Sequence, residues 1–280
     1  MIIEAAIGDA YGAGFEFRDL NFISKNNNLK KYFHHGLYTE IYKQYTDDTQ
    51  MAIAIAELLL EDEDWTPEKV GDKFVEVFHR DKRRGYSGRV YNALSESRNG
   101  KEFLKNINNE SSGNGAAMRA YTLGYIKDLD KLKDLVTIQA KTTHNTHEGI
   151  TGALRIALAA HYYIYVYEKL DISLIQFINR TIGEIGNYQI TSPIDMHSFP
   201  TTNAVIPLVS EARSLSECLL KGISYGGDTD TVAEWSMAIL SVKKDCKNDL
   251  PDFLLDQIEN GKYGRDYLIS LDEKLRIKFS

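Results

Sequence analysis

The sequence has 280 residues, 43% of them hydrophobic and 26% charged, which is typical of a globular chain with a substantial core. Its net charge of −7 provides no basic surface, so nucleic acid is not an expected partner, although charge alone leaves that open. The two cysteines form no CxxC pair, and no stretch reaches the ~18 apolar residues of a membrane span. We therefore expect a cytoplasmic protein without membrane spans.

Helical periodicity recurs along the chain, with apolar residues spaced to cover one helix face. Thr66 and Pro67 predict an N-cap and a first helical position, whereas the polar residues 18–45 and 97–115 predict loops. No stretch alternates long enough to predict a strand. The pattern therefore predicts one all-α domain over residues 1–280, with roughly a dozen helices. The predicted helices cover residues 2–13, 48–61, 67–79, 90–96, 116–125, 130–142, 148–169, 172–185, 203–211, 214–225, 232–242 and 251–259.

Two acidic, hydroxyl-rich stretches stand out. The first is Thr46-Asp47-Asp48-Thr49, just ahead of an apolar helical run, and the second is Gly226-Gly227-Asp228-Thr229-Asp230-Thr231, again followed by an apolar run. Carboxylate and hydroxyl oxygens are the ligands that hard divalent cations prefer. We predict that the two stretches meet in space, each at a helix N-terminus, and hold metal ions.

Helix N-capping is the alternative interpretation of both stretches, because Asp and Thr favour N-caps without any metal. For Asp47-Asp48 this alternative stays open. It explains the second stretch less well, because a cap needs one such residue and this turn has four in a row.

Glu16 lies in a segment rich in glycine and aromatic residues, where a solvated face is not expected. A role as a metal ligand or general base is therefore plausible for it. For Asp9, which follows Gly8, we expect a local turn or cap. His34 and His35 lie in a predicted loop, and no pattern assigns them a role.

The loop Ser111-Ser112-Gly113-Asn114-Gly115 opens a predicted helix, and free backbone N–H groups there could hold a phosphate. An ordinary helix start is the alternative. His144 and His147 lack the spacing and third ligand of a zinc site. We expect His144 to contact substrate, with a capped helix start as its alternative.

Taken together, these stretches resemble the ADP-ribosylglycohydrolase family. The matching motifs, in order, are Gly8-Asp9 with Gly12 and Glu16, then Tyr45-Thr46-Asp47-Asp48-Thr49, Gly113-Asn114-Gly115-Ala116-Ala117-Met118-Arg119, Thr143-His144 and the glycine-rich turn at 226–231. The resemblance implies a single compact all-α orthogonal bundle. It also implies hydrolysis of the N- or O-glycosidic bond between ADP-ribose and an acceptor, with protein arginine as the first acceptor to consider.

The same resemblance implies roles for individual residues. Two Mg²⁺ or Mn²⁺ ions would be ligated by Thr46, Asp47, Asp48, Asp228, Asp230 and Thr231. Glu16, Asp47 and Asp230 would be the catalytic residues, with Glu16 serving in gating or acid–base chemistry. The substrate-binding residues would be Ser111, Ser112, Gly113, Asn114, Gly115 and His144.

The chain departs from the family pattern at three places, one of which is Ser112, where some serine-acting relatives carry an aromatic residue. Gly85-Tyr86-Ser87-Gly88 offers no acid where some arginine-acting relatives carry one, and Glu234 with Trp235 stands where small residues are usual. Two other functions are considered besides the hydrolase: an inactive ADP-ribose-binding or structural relative, and an unrelated two-metal phosphohydrolase. The expected partner is an ADP-ribosylated protein or a small ADP-ribose compound, bound by a monomer.

Overall fold

The computed structural model describes residues 1–61 and 64–280. These residues form helices and isolated β-bridges but no extended strand, so the all-α prediction is confirmed for the described part of the chain. None of the described helices combines the length and apolar character needed to cross a bilayer. The α-helices are α1 (Ile2–Gly12), α2 (Leu20–Asn26), α3 (Asp47–Leu60), α4 (Pro67–Arg80), α5 (Gly88–Ser95), α6 (Gly100–Asn106), α7 (Leu129–Thr143), α8 (His147–His161), α9 (Leu174–Ile182), α10 (Ser198–Glu211), α11 (Leu215–Ser224), α12 (Thr229–Leu240), α13 (Asp252–Asp256) and α14 (Arg265–Lys278).

Three of these helices were not predicted. α2 and α6 lie in stretches predicted as loops, and Asp19 and Asn99 cap them by accepting backbone N–H groups. Both are short and largely polar, so their periodicity is weak and tertiary contacts stabilise them. α14 follows the last predicted element and buries one face through Leu268, Leu271 and Leu275.

Two predicted helices have a different form. The segment predicted as a helix over 116–125 consists of short 3₁₀ turns at Asn114–Ala116 and Tyr121–Tyr125. The helix predicted over 148–169 is α8, which continues into a π-helical turn at Tyr162–Val166. In that turn the Tyr163 hydroxyl donates to the backbone oxygen of Val209 at 2.8 Å. Such tertiary anchoring overrides the local periodicity.

α1 and α12 pack against each other at unusually close range. A Cβ atom on Gly8 would lie 2.6 Å from the backbone oxygen of Ala233, and one on Gly12 would lie 2.6 Å from that of Thr229. The Thr229 hydroxyl also donates to the backbone oxygen of Gly12 at 2.8 Å. Glycine at both positions lets the two backbones touch. The end of α1, which leads to Glu16, therefore lies against the first turn of α12.

The segment between α9 and α10 joins two loops that matter for the site. The backbone oxygen of Ile194 accepts from the N–H of Asp228 at 3.0 Å, and its own N–H donates to Gly226 at 3.0 Å. Two residues further on, the backbone oxygen of Met196 accepts from the N–H of Asn114 at 3.0 Å. The segment therefore holds the loop at 111–115 beside the turn that precedes α12.

Replacement of Gly12 by alanine is expected to destabilise the fold, because the added methyl group would overlap the backbone of Thr229 and Asp230. Overpacking of this kind costs about 1–3 kcal/mol, measured as the free energy of unfolding in urea. Gly88→Ala is the matched control, since a Cβ atom there meets no described atom within 4 Å. Equal losses in the two variants would contradict the close contact of α1 with α12.

Candidate active site

The N-terminus of α3 is fixed by a carboxylate from α1. Thr46 is the N-cap of α3, and its hydroxyl oxygen accepts the N–H of Asp48 at 3.4 Å. Oδ2 of the buried Asp9 accepts the N–H of Thr46 at 2.9 Å, and both the N–H and the hydroxyl of Thr49, at 3.2 and 2.7 Å. Asp9 is a capping group as one of the expected alternatives, but it is not a local one, because it lies within α1 and caps α3. These hydrogen bonds fix the position of the first turn of α3, which contains Asp47 and Asp48.

The N-terminus of α12 follows a turn of two glycines. Gly226 and Gly227 have φ of +70° and +80°, the left-handed region that favours glycine. Asp228 is the N-cap residue of α12, yet its side chain makes no capping hydrogen bond. Its Oδ2 atom instead accepts from the Asn114 amide at 2.6 Å. The capping alternative therefore does not explain the Asp228 carboxylate, which faces the loop at 111–115.

The structure brings the two acidic stretches together. The Thr231 hydroxyl donates to Oδ2 of Asp48 at 2.8 Å, although the residues are 183 positions apart in the chain. Carboxylate oxygens of Glu16, Asp228 and Asp230 lie within 4.8 Å of one another. The cluster thus draws on the ends of α1, α3 and α12. Of the predicted ligands, the buried ones are Thr46, Asp48, Asp228, Asp230 and Thr231, and Asp47 is half-buried.

This acidic cluster has the chemistry of a hard-cation site. Its donors are carboxylate and hydroxyl oxygens, which suit Mg²⁺ and Mn²⁺. Across residues 1–61 and 64–280, no lysine or arginine forms an ion pair with Asp47, Asp48, Asp228 or Asp230, whereas Lys73, Arg80 and Arg83 pair with carboxylates outside the cluster. Bound divalent cations would offset the repulsion among the carboxylates. The residues therefore fit the cations that the sequence resemblance implies.

Burial raises the pKa of the cluster carboxyls. It raises the pKa of Asp228 from 3.8 to about 6, and that of Asp9 also to about 6. For Asp47, Asp48 and Asp230 the pKa rises well above its ordinary value, because of burial first and neighbouring carboxylates second. Without a cation, the cluster therefore retains protons that isolated carboxyls would lose.

Glu16 has a partner that the sequence did not indicate. Its Oε2 atom lies 2.5 Å from Nε2 of His35. His35 is buried, with 1% of its side chain exposed, whereas 17% of Glu16 is exposed. No sequence signal marked His35, because two adjacent histidines in a polar loop have no diagnostic spacing. The contact exists only because residues 33–36 fold back onto the segment that follows α1.

The region expected to carry an acid in some relatives packs directly on Asp47. The N–H of Asp47 donates to the backbone oxygen of Arg84 at 2.9 Å. Gly85, with φ of +112°, lies so close that a Cβ atom there would sit 1.9 Å from Oδ1 of Asp47. A side chain at position 85 would collide with the Asp47 carboxylate. The space beside Asp47 is therefore filled by backbone and cannot hold an acidic side chain from this position.

The loop over residues 111–115 is already bonded within the protein at three of its N–H groups. The N–H of Ser111 donates to the backbone oxygen of Asn109 at 3.1 Å, that of Gly113 donates to Oγ of Ser111 at 3.2 Å, and that of Asn114 donates to Met196. These three groups are therefore not free to hold a phosphate in this conformation, contrary to expectation. Asn114 is buried, whereas Ser111, Ser112, Gly113 and Gly115 remain half-buried and line the surface of the loop.

Arg119 and His144 support this loop from below. The buried Arg119 donates to the backbone oxygen of Gly115 at 2.9 Å and to Oγ1 of Thr143 at 2.7 Å. His144 packs under Gly115 with 4% of its surface exposed, and it is the C-cap of α7, so it does not begin a helix. Burial, with the charges of Arg119 and Arg89, lowers the pKa of His144 well below 6.5. The ring is therefore neutral and mainly supports the loop.

Glu234 adds a further buried carboxyl behind the cluster. The Tyr121 hydroxyl donates to its Oε1 atom at 3.0 Å, while Oε2 has no hydrogen-bond partner within the described ranges. Burial first, and the charge of Asp9 second, raise the pKa of Glu234 well above its ordinary value. After burial, Glu234 is the largest contribution to the raised pKa of Asp48. Glu234, which stands where the family pattern has a small residue, thus extends the acidic cluster toward the core.

The model of the ADP-ribosylglycohydrolase family matches residues 1–280. The chain therefore belongs to the ADP-ribosylglycohydrolase family, which is hydrolytic.

Individual relatives agree with this membership. The Escherichia coli (strain K12) protein YegU is 31% identical over 261 residues, covering 77% of this chain and 74% of that protein. ADP-ribosylhydrolase ARH3 of Xenopus tropicalis is 28% identical over 181 residues, covering 58% of this chain and 48% of its own length. The chain thus spans about half the length of that relative. A solved structure described as an ADP-ribosylglycohydrolase-related protein complex aligns with a TM-score of 0.75 at 20% identity, covering 100% of this chain and 96% of that one, and supports the fold.

The metal-free protein is expected to lose stability as the pH rises from about 4 to about 7. Asp9 and Asp228 have pKa values of about 6 in the fold and 3.8 when unperturbed, so in this window the native state binds more protons than the unfolded state. The free energy of unfolding therefore falls with pH, by about 3 kcal/mol per group.

Urea unfolding in excess chelator, repeated across this pH range, measures the effect. The Asp228→Asn variant isolates one contribution and should show a shallower fall than the wild type. A wild-type stability that falls no more steeply than that of Asp228→Asn would contradict the assigned pKa shift.

Proposed function

We propose that this chain is a metal-dependent hydrolase that cleaves the N- or O-glycosidic bond between ADP-ribose and an acceptor, releasing ADP-ribose. One observation carries the proposal: the 2.6 Å hydrogen bond from the Asn114 amide to Asp228. It joins the loop proposed for the substrate to the cluster proposed for the cations. The similarity to proteins named ADP-ribosylhydrolase supports the choice of substrate.

The proposed cofactor is a pair of Mg²⁺ or Mn²⁺ ions. When bound, such ions would supply Lewis acidity and hold ribose hydroxyl oxygens next to the scissile bond. The proposed ligands are Thr46, Asp47, Asp48, Asp228, Asp230 and Thr231, with Glu16 close enough to Asp228 and Asp230 to share in binding.

Hydrolysis replaces the acceptor at the anomeric carbon with a water oxygen. The water must lose a proton, and the acceptor nitrogen or oxygen must gain one. We assign this transfer to Glu16, because its carboxyl is 17% exposed and so meets both solvent and the cluster. Asp47 and Asp230 are proposed to assist by orienting the reacting groups.

The loop at 111–115 would hold the diphosphate and distal ribose of ADP-ribose. The hydroxyls of a half-buried serine pair and the backbone of two glycines line it. Arg119 would place a fixed positive charge below this loop, which favours an anionic ligand. His144 is proposed to contact substrate through the small part of its ring that remains exposed.

The proposed acceptor is a protein arginine side chain. A cluster of carboxylates from the ends of α1, α3 and α12 attracts a guanidinium group, and the whole chain carries a net charge of −7. A panel of ADP-ribosylated arginine, serine and DNA substrates distinguishes the acceptors. Fastest release from arginine supports the assignment, and faster release from serine or DNA would replace it.

Asp230→Asn is expected to reduce release of ADP-ribose by at least about 100-fold, because it removes one charge from the cation site while keeping the side chain's shape. Chromatography of released ADP-ribose, with Mg²⁺ or Mn²⁺ present, measures the rate. Asp130→Asn is the control, since its side chain is 90% exposed on α7. Wild-type activity in Asp230→Asn, or in excess chelator, would refute metal-dependent hydrolysis.

Calorimetry with ADP-ribose separates this function from the alternatives. A hydrolase should bind its product and also release it from substrate. Tight binding of ADP-ribose without any turnover would instead indicate a reader of ADP-ribose. Release of phosphate or AMP in place of intact ADP-ribose would indicate a phosphohydrolase.

We further propose that residues 1–280 act as a single domain and as a monomer in the cytoplasm. The proposed ligands all come from one chain, so no second copy is needed to complete the site. Sedimentation of the active protein at one-subunit mass supports this, and activity confined to a larger species would oppose it.

A further inference from the structure

We propose that His35 is a positioning residue that holds the Glu16 carboxyl in place over the acidic cluster. The role rests on the proposed function, because Glu16 is there the proton-transfer residue and a neighbour of the cations. His35 itself would touch neither substrate nor metal.

The hydrogen bonds of His35 define which ring nitrogen carries the proton. Its Nδ1 atom accepts the N–H of Leu37 at 2.9 Å and the N–H of Tyr38 at 3.0 Å. A nitrogen that accepts hydrogen bonds carries no proton, so the proton of the neutral ring is on Nε2. Nε2–H therefore donates to Oε2 of Glu16, at 2.5 Å.

The loop that carries His35 is held together by its own backbone hydrogen bonds. The N–H of His35 donates to the backbone oxygen of Ile41 at 3.1 Å, and the N–H of Ile41 donates to Tyr38 at 2.8 Å. With 1% of its side chain exposed, the His35 ring has little room to change orientation. The donor offered to Glu16 is therefore fixed in direction.

The segment after α1 is clamped to this loop at neighbouring points. Gly14 packs on Phe33, and a guanidinium nitrogen of Arg18 donates to the backbone oxygen of His34 at 3.1 Å. The Phe15 and Phe33 rings lie 5.4 Å apart in an edge-to-face arrangement. His35 and Glu16 thus form one contact within an extended interface.

The backbone of Glu16 is also held from the other side. The N–H of Phe17 donates to the backbone oxygen of Gly227 at 2.9 Å, next to Asp228. With the backbone fixed, the Glu16 side chain can still rotate about three bonds. The bond from His35 restrains these torsions and leaves Oε1 available to a cation or to substrate. Ordering the carboxyl in advance reduces the entropy lost on binding.

Calorimetric titration with Mn²⁺ alone, without substrate, tests this role. His35→Ala should bind Mn²⁺ about 10-fold more weakly than the wild type, as is usual when a partner of a metal-site carboxylate is lost. His35→Gln should recover most of that loss, because its amide N–H takes the place of Nε2–H. His34→Ala is the matched control, since His34 bonds to Thr39 and stacks on Tyr42 but does not contact Glu16.

Two comparisons separate positioning from a general loss of structure. In a Glu16→Ala background, His35→Ala should cause no further change in Mn²⁺ affinity, whereas a structural defect would still weaken binding. Thermal unfolding of each variant reports whether the fold is kept. Wild-type affinity in His35→Ala, no recovery in His35→Gln, or an equal loss in His34→Ala would overturn the proposal.

The outcome can be told apart from failure of the proposed function. If the wild type releases no ADP-ribose, hydrolysis fails, and the Mn²⁺ titrations still decide the role of His35. If the wild type binds no Mn²⁺, the imidazole ¹⁵N signals of His35 decide it: they should show the Nε2–H tautomer and shift in Glu16→Ala. Signals that do not respond to Glu16→Ala would overturn the contact itself.

Discussion

The direct contact between the backbones of α1 and α12 is the constraint on which the site depends. Gly8 and Gly12 allow it, and the bond from the Thr229 hydroxyl to Gly12 joins the end of α1 to the first turn of α12. Through this contact, a residue just after α1 and the first turn of α12 become neighbours. Asp9, on the same helix, then orders the start of α3. One pair of packed helices therefore places all three groups of carboxylates.

Bringing these carboxylates together opposes folding, and the protein tolerates it in identifiable ways. The N-termini of α3 and α12 carry partial positive charge that favours acidic side chains in their first turns. Asn114 and Thr231 donate hydrogen bonds to Asp228 and Asp48. The raised pKa values show that this compensation is incomplete. A cation bound at the cluster would offset the remaining imbalance.

Much of this arrangement follows from the sequence, because its signals are local. The four polar residues at Asp228–Thr231 and the stretch at Thr46–Thr49 predicted two helix N-termini, and both helices begin there. The buried helices were predicted for the same reason, because the periodic spacing of apolar residues marks the helix face that packs into the core. The meeting of the two stretches was inferred from shared chemistry, and the hydrogen bond from Thr231 to Asp48 brings them into contact.

The features that escaped prediction are long-range. His35 acquires its partner only when its loop folds onto the segment after α1. Asp9 caps a helix 37 residues away from it, which no local pattern can indicate. α2 and α6 are too short and polar for a periodic signal, and the π-helical turn after α8 reflects tyrosine contacts made elsewhere in the fold. In each case the deciding contact joins distant parts of the chain.

The hydrogen bond that joins Thr231 to Asp48 has a consequence for how the protein matures. The bond joins residues 183 positions apart, and non-local contacts of this kind slow folding. A chain still lacking α12 on the ribosome would have Asp47 and Asp48 but no cation site. Once closed, the site would couple cation binding to the stability of the whole fold. Cellular cation supply would then influence how long each newly made molecule survives proteolysis.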